Sequence, residues 1–338
     1  RPSRRSSRSA GMKFAIVGAG ATGGFLGARL ARAGEDVTLI ARGAHLAAMR
    51  SGGVRVISSA EEFVAHPTCT DDLGAAGQAD VVVLTVKAHS LAPIAPALRE
   101  SLGPETVVIT AQNGIPWWYF YKEGGRLEGT RLHTVDPDGV LFESFEANRI
   151  VGCVVWPATR LVAPGVVEHV EGTRFTLGEL DGSKSERCRA IAAALIKAGL
   201  KSPISAQIRR EIWLKLLGNV AFNPLSALTR ATLVEIASHP DTRAVARAMM
   251  EEADSVARAL GIQLEIGIDQ RLAGAEKVGE HKTSMLQDVE SGRPLEVEAL
   301  VGAPVEIGQL LGLPLPHLQT IYACTKLLDE TLRNPPAR

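Results

Sequence analysis

Neither sign of charge is in excess. Lys plus Arg number 37, Asp plus Glu number 37, and the formal net charge is zero. A chain so balanced has no bulk electrostatic attraction for nucleic acid or for an anionic membrane, which excludes both as its main partner. Cysteine is scarce. The 4 present, Cys69, Cys153, Cys188 and Cys324, are scattered, with no C-x-x-C pair and no ligand-like cluster with His. Neither a disulfide framework nor a metal site is expected, and a reducing cytoplasm is the expected setting. No apolar run approaches the roughly 18–20 residues that a membrane helix needs. Acids are missing from RPSRRSSRSAG, residues 1–11, which carry 4 Arg and 4 Ser. We read that stretch as a disordered leader or tag and begin the fold at Met12.

What is present is a globular composition: 338 residues, 46% hydrophobic, 22% charged, with 33 Gly. That length accommodates two ordinary domains. KFAIV (13–17), DVTLIAR (36–42), VRVIS (54–58), ADVVVLTV (79–86) and TVVITAQ (106–112) are short apolar runs with helical stretches between several of them, through Arg32 and over 91–102. Apolar runs of this kind mark parallel strands covered on both faces, so the pattern predicts a doubly wound parallel sheet of Rossmann type. Residues 149–180 read as further strands, with antiparallel pairing. From Ser185 the periodicity is helical nearly to Leu332. The expectation is an α/β chain with a nucleotide-binding domain over 12–203 and an all-helical domain over 204–333, which carries the substrate and catalytic groups. Pro203 marks the change.

GAGATGG, residues 18–24, fits G-x-G-x-x-G in the setting that the motif requires, after a strand and opening a helix. The first glycine makes a tight turn, the second lets the backbone approach a pyrophosphate, and the third lets the helix pack close. Gly18, Ala19, Gly20, Ala21, Thr22 and Gly23 are therefore candidate dinucleotide contacts; the bland alternative is a ligand-free glycine turn. Arg42 ends the second strand where an NAD site has an acid for the ribose hydroxyls. A guanidinium there can grip a 2′-phosphate, which favours NADP over NAD, against the plain reading of an exposed arginine. Lys87 and Asn113 lie just past two further strand ends, where ligands of parallel sheets gather, though each alone could be an ordinary loop residue.

IWLKLLGNVAFNPL, residues 212–225, places Lys215, Asn219 and Asn223 four apart. Each step of four advances a helix by about 400°, so the three form one polar stripe beside an apolar face. Such a stripe must meet water, a partner or a ligand, because unpaired buried polar groups are costly. In HKTSMLQDVESGRPLEVEALVG (281–302), Ser284 precedes a short helical run and Glu296 follows twelve residues later. Taken alone, Ser284 reads as a helix cap and Glu296 as a favourable first-turn charge.

Together GAGATG, TVKA, QNGI, W-x-K-x-x-x-N-x-x-x-N-P and SMLQD followed by Glu296 run in order over nearly the whole chain, and the sequence resembles the ketopantoate reductase (2-dehydropantoate 2-reductase) family. The resemblance implies NADPH-dependent reduction of 2-dehydropantoate to (R)-pantoate on the way to pantothenate. It makes Lys215 the proton donor and Glu296 the acid that completes the site, touching cofactor as well. Asn219, Asn223 and Ser284 become substrate contacts, and Asn113 touches both ligands. Arg42, Lys87 and the backbone of Ala158 join the glycine loop as cofactor contacts. Departures are visible. Where the family continues E-I-D-Y-x-N-G, this chain has EVEALVG, with Glu298 in the aspartate position. Residues 117–121 read WWYFY, in a chain with only 4 Trp, 3 Tyr and 8 Phe, and could be a pocket wall, a subunit contact or a packing knot. The alternatives are the same chemistry on another 2-oxo acid or lactone, and a non-catalytic NADPH sensor. A homodimer through apolar helices such as 316–332 is a further expectation.

Overall fold

A computed structural model describes residues 11–334. The leader expected over 1–11 therefore lies outside the described residues, Gly11 excepted. The chain forms two compact units, one running through Gln112 and resuming over Val140–Ile208, the other made of Asn113–Gly139 and Arg209 onward.

The first unit contains every strand: β1 (Lys13–Val17), β2 (Asp36–Ile40), β3 (Val54–Ile57), β4 (Glu62–Ala65), β5 (Thr68–Thr70), β6 (Val81–Leu84), β7 (Val107–Thr110), β8 (Ile150–Val155), β9 (Ala158–Ala163), β10 (Val166–Glu171) and β11 (Phe175–Glu179). Seven of them make one sheet in the order β11-β8-β7-β6-β1-β2-β5. All neighbours in it are parallel except β11 with β8. The strand order reverses at β1, the point where doubly wound sheets bind ligands at the carboxyl ends of their strands. The α/β architecture with an N-terminal, largely parallel sheet and a helical C-terminal region is as the sequence pattern requires. β1, β6 and β7 are buried nearly throughout, as strands with helices on both faces must be.

VRVIS departs from that expectation. It forms β3, which lies in a separate four-stranded sheet of order β4-β3-β10-β9. The reason is legible in its alternation: Val54 and Val56 are buried while Arg55 between them is exposed, the signature of a strand covered on one face. This small sheet packs on the helix Ala21–Arg32, where the His169 ring stacks on Phe25 with centroids 4.4 Å apart.

The second unit is helical, and among the described residues it holds no strand. Its longest helix, Ile208–Thr229, carries the Lys–Asn–Asn stripe and keeps Pro224 inside it, so Asn223 does not end the helix. The segment Asn113–Gly139 is an excursion that a single cut after residue 203 does not contain. Its aromatic run is buried in the helical unit's own packing. Among the described residues no helix is long and apolar enough to cross a membrane.

Candidate active site

The glycine turn lies in the first unit, and the polar stripe lies in the second. In the turn, Gly18 has φ +99°, and a Cβ there would stand 2.5 Å from the Val86 amide nitrogen. A Cβ on Gly23 would come within 2.5 Å of Gly18 O and Thr85 Oγ1. These two glycines are demanded by the fold itself. Gly20 differs: its φ is −71°, and nothing stands within 4 Å of a Cβ built on it.

The loop's carbonyls are already engaged. Thr85 Oγ1 donates to Val17 O and Gly18 O at 3.1 and 2.7 Å. His45 Nε2 lies 2.6 Å from Ala19 O, while its Nδ1 accepts the Gly165 amide at 2.9 Å. That second bond fixes the ring as the Nε2–H tautomer, donating to Ala19. The amides of residues 21–23, by contrast, open the helix Ala21–Arg32 and have no partner one turn back. Carbonyls held away and amides presented at a helix N-terminus are what a pyrophosphate requires, so the turn fits a dinucleotide. Thr22 Oγ1 lies 3.3 Å from Thr159 Oγ1, which puts Ala158, the first residue of β9, beside the same helix start. Arg42 is exposed and precedes the helix Gly43–Gly52. Lys87 is half-buried, and its carbonyl accepts the Ser90 amide at 2.8 Å. Thr85 and His45 were missed from sequence. Neither belongs to the glycine motif, and only the folded loop shows what they hold.

In the second unit, Lys215 Nζ donates to Asn113 Oδ1 at 2.6 Å, joining residues 102 positions apart. Both ends of this pair are anchored. On the Asn113 side, Gly114 has φ +83° and packs so closely that a Cβ would lie 2.4 Å from Ala299 O. The same carbonyl accepts the Ile115 amide at 2.8 Å. Ala299 belongs to a π-helical turn, Glu298–Gly302, in which the Ala303 amide reaches back to Glu298 O. Pro304 follows and has no amide to donate, which explains the wider turn. On the Lys215 side, Trp213 Nε1 donates to Tyr119 OH at 2.6 Å, and Arg209 Nε donates to Tyr119 O at 2.7 Å. The five rings of WWYFY are all buried. The cluster is a packing knot that pins the lysine helix to the loop following Asn113.

Asn219 is half-buried and Asn223 is 5% exposed. Asn223 Nδ2 lies 3.5 Å from Ser284 Oγ, a long contact. Ser284 is not a cap. Thr283 takes that role, its hydroxyl accepting the Leu286 amide at 3.1 Å, while Ser284 sits exposed in the first turn of Ser284–Glu290. Glu296 is half-buried, and its carbonyl accepts the Leu300 amide at 3.2 Å, immediately ahead of the π-turn. The residue before it is tied down by a 2.7 Å bond from the Leu295 amide to Asp329. Glu298 is engaged elsewhere: Tyr322 OH donates to it at 2.5 Å, and Lys326 Nζ lies 3.2 Å away. Burial, then the bond to Glu298, pushes the Tyr322 phenol up to about 12. The structure thus joins Asn113 with Lys215 and Asn223 with Ser284. Among the described residues no three His, Cys, Asp or Glu side chains gather as a metal site.

Comparison with known proteins agrees over most of the chain. The family model described as ketopantoate reductase PanE/ApbA matches residues 14–182, and the model for the C terminal of the same family matches residues 207–329. The 2-dehydropantoate 2-reductase of Mesorhizobium japonicum is 49% identical over 318 residues, covering 94% of this chain and 98% of the relative. A solved structure from Ralstonia solanacearum MolK2, 40% identical, superposes with a TM-score of 0.90 over 96% of this chain and 99% of that one. The 2-dehydropantoate 2-reductase structure from Geobacter metallireducens GS-15 gives 0.82 at 29% identity, covering 94% and 99%. Family models over both units, a named relative at near half identity and a shared fold converge: this chain belongs to the ketopantoate reductase family and is an oxidoreductase of the 2-dehydropantoate 2-reductase type.

Proposed function

We propose that this protein reduces 2-dehydropantoate to (R)-pantoate with NADPH, as a cytoplasmic enzyme supplying pantothenate synthesis and working as a homodimer. The single observation that carries the mechanism is the 2.6 Å bond from Lys215 Nζ to Asn113 Oδ1. When bound, NADPH supplies the hydride that goes to the ketone carbon. Negative charge then develops on the ketone oxygen. The bond to Asn113 holds the ammonium in place, and the ammonium donates to that oxygen. Lys215 stabilises the developing alkoxide and transfers one proton to it, becoming a neutral amine that solvent reprotonates. Preorganised donors of this kind are worth about 3–4 kcal/mol each at an oxyanion. Glu296 orients the ammonium. Asn219, Asn223 and Ser284 hold the substrate's hydroxyl and carboxylate without adding charge.

Following NADPH absorbance with 2-dehydropantoate and with smaller 2-oxo acids tests this directly. The expected result is the highest kcat/KM for 2-dehydropantoate. Preference for another 2-oxo acid or a lactone would move the substrate assignment and keep the mechanism. That second reading draws on Glu298, which is tied to Tyr322 and Lys326 where the family has an aspartate. NADPH binding with no oxidation across the panel would instead support a sensor.

The cofactor preference rests on Arg42, exposed two residues past the second strand and directly before the helix Gly43–Gly52, with no acid at the tip. Arg42→Ala is expected to raise KM for NADPH by roughly 10–100-fold, the range of charge-assisted bonds to a phosphate, while KM for NADH moves little. Equal changes for the two cofactors would remove the assignment.

A further inference from the structure

The π-helical turn Glu298–Gly302 sets one carbonyl apart from its neighbours. In an α-helix the Ala303 amide would close on Ala299 O, four residues back. Here it reaches Glu298 O instead, five residues back. In that wider register the amide of residue 304 would close on Ala299 O. Residue 304 is proline and has no amide hydrogen. Ala299 O is therefore passed over by the donors of both helical registers. A buried carbonyl still needs a partner. It finds one outside the helix, in the Ile115 amide at 2.8 Å. Both residues are buried.

That bond falls two residues past Asn113. Gly114, between them, packs on the same residue: a Cβ there would stand 2.4 Å from Ala299 O and 2.5 Å from its carbonyl carbon. Asn113 opens this short run, and its Oδ1 accepts the Lys215 ammonium at 2.6 Å. Pro304, Ala299, Ile115, Asn113 and Lys215 all belong to the helical unit. The flanks of the turn are fixed independently. Glu298 accepts Tyr322 OH at 2.5 Å and pairs with Lys326. The Glu306 carboxylate accepts the amides of His133 and Thr134, each at 2.8 Å. The excursion Asn113–Gly139 is thus tied to the stretch 298–306 near its start and again near its end.

We propose that Pro304 is a positioning residue for the reduction. By denying Ala299 O a helical donor it reserves that carbonyl for Ile115, and so sets Asn113 against the ammonium of Lys215. An amide at 304 would let the turn close as a regular α-helix. The Ala303 amide would then take Ala299 O, and the Asn113 loop would slacken. The inference rests on the reading of Lys215 as the proton donor. A misplacement of about 1 Å at such a group costs up to roughly 100-fold in rate.

The test uses the full chain and two variants that restore an amide. Pro304→Ala is the smaller change, and Pro304→Val also keeps the buried bulk of the ring. Both should lower kcat for the 2-oxo acid by roughly 10–100-fold, with KM and the Kd for NADPH within about threefold. Pro304→Val should melt no lower than wild type, because a proline inside a helix is itself destabilising. Hydrogen exchange, followed by mass spectrometry on a peptide spanning 113–118, should be faster in both variants than in wild type. In a Lys215→Ala background the same substitutions should change kcat by less than about twofold, since they act through that lysine. Unchanged kcat, unchanged exchange over 113–118, or a full further loss in the Lys215→Ala background overturns the inference and leaves the reductase reading intact. A lower melting temperature with exchange at the loop unchanged assigns Pro304 to packing alone and overturns it as well. Were the wild type inactive on 2-dehydropantoate, the reductase reading would fail, and the exchange series would still decide whether Pro304 holds the Asn113 loop.

Discussion

Lys215→Ala is expected to lower kcat by roughly 10²–10⁴, the range of a lost general acid, while the Kd for NADPH stays within about twofold. The asymmetry follows from where the side chain is held. Lys215 bonds to Asn113, and its helix is clamped by Trp213 on Tyr119 and by Arg209 on the carbonyl of Tyr119. Truncating the lysine touches neither clamp, so the helix and the Asn113 loop should persist. The glycine turn, with its own bonds from Thr85 and His45, is built entirely from the other unit and should keep its nucleotide. Lys215→Arg makes the complementary case. It keeps the charge but gives up its proton poorly, so it should bind substrate and still turn over slowly. Steady-state rates with a fluorescence titration of NADPH check both variants. Normal turnover in Lys215→Ala would sink the assignment of the acid.

Much of this was readable from the chain before its fold was known, for physical reasons. The glycine motif has a fixed setting between strand and helix, and the three-residue polar stripe is visible because helical spacing brings residues four apart together. The buried strands announced themselves as apolar runs. What the sequence hid depended on long-range contact. No local pattern shows that Asn113 and Lys215 meet across 102 positions, because that pairing is set by Gly114 closing on Ala299 and by the aromatic knot. VRVIS lies in the smaller sheet because Arg55 breaks its apolar run, so that only one face of the strand is covered.

Two alanines in the glycine turn should part stability from binding. Gly18→Ala places a side chain where φ is +99° and a Cβ would stand 2.5 Å from a backbone nitrogen, so the strand–helix junction must move. A loss of about 2 kcal/mol or more is expected, with NADPH binding abolished as the turn distorts. Gly20→Ala differs: φ is −71° with ψ −150°, and nothing lies within 4 Å of the new Cβ. Its stability should change by less than about 1 kcal/mol. Its NADPH affinity should nevertheless fall by roughly tenfold or more, because the methyl group stands where the pyrophosphate must come close to the backbone. Chemical denaturation and NADPH titration of the two variants separate the effects. The decisive case is Gly20→Ala, in which the new methyl group meets no atom of the chain. If that variant bound NADPH like the wild type, the dinucleotide would not lie on this turn, and the bare surface at Gly20 would need another explanation.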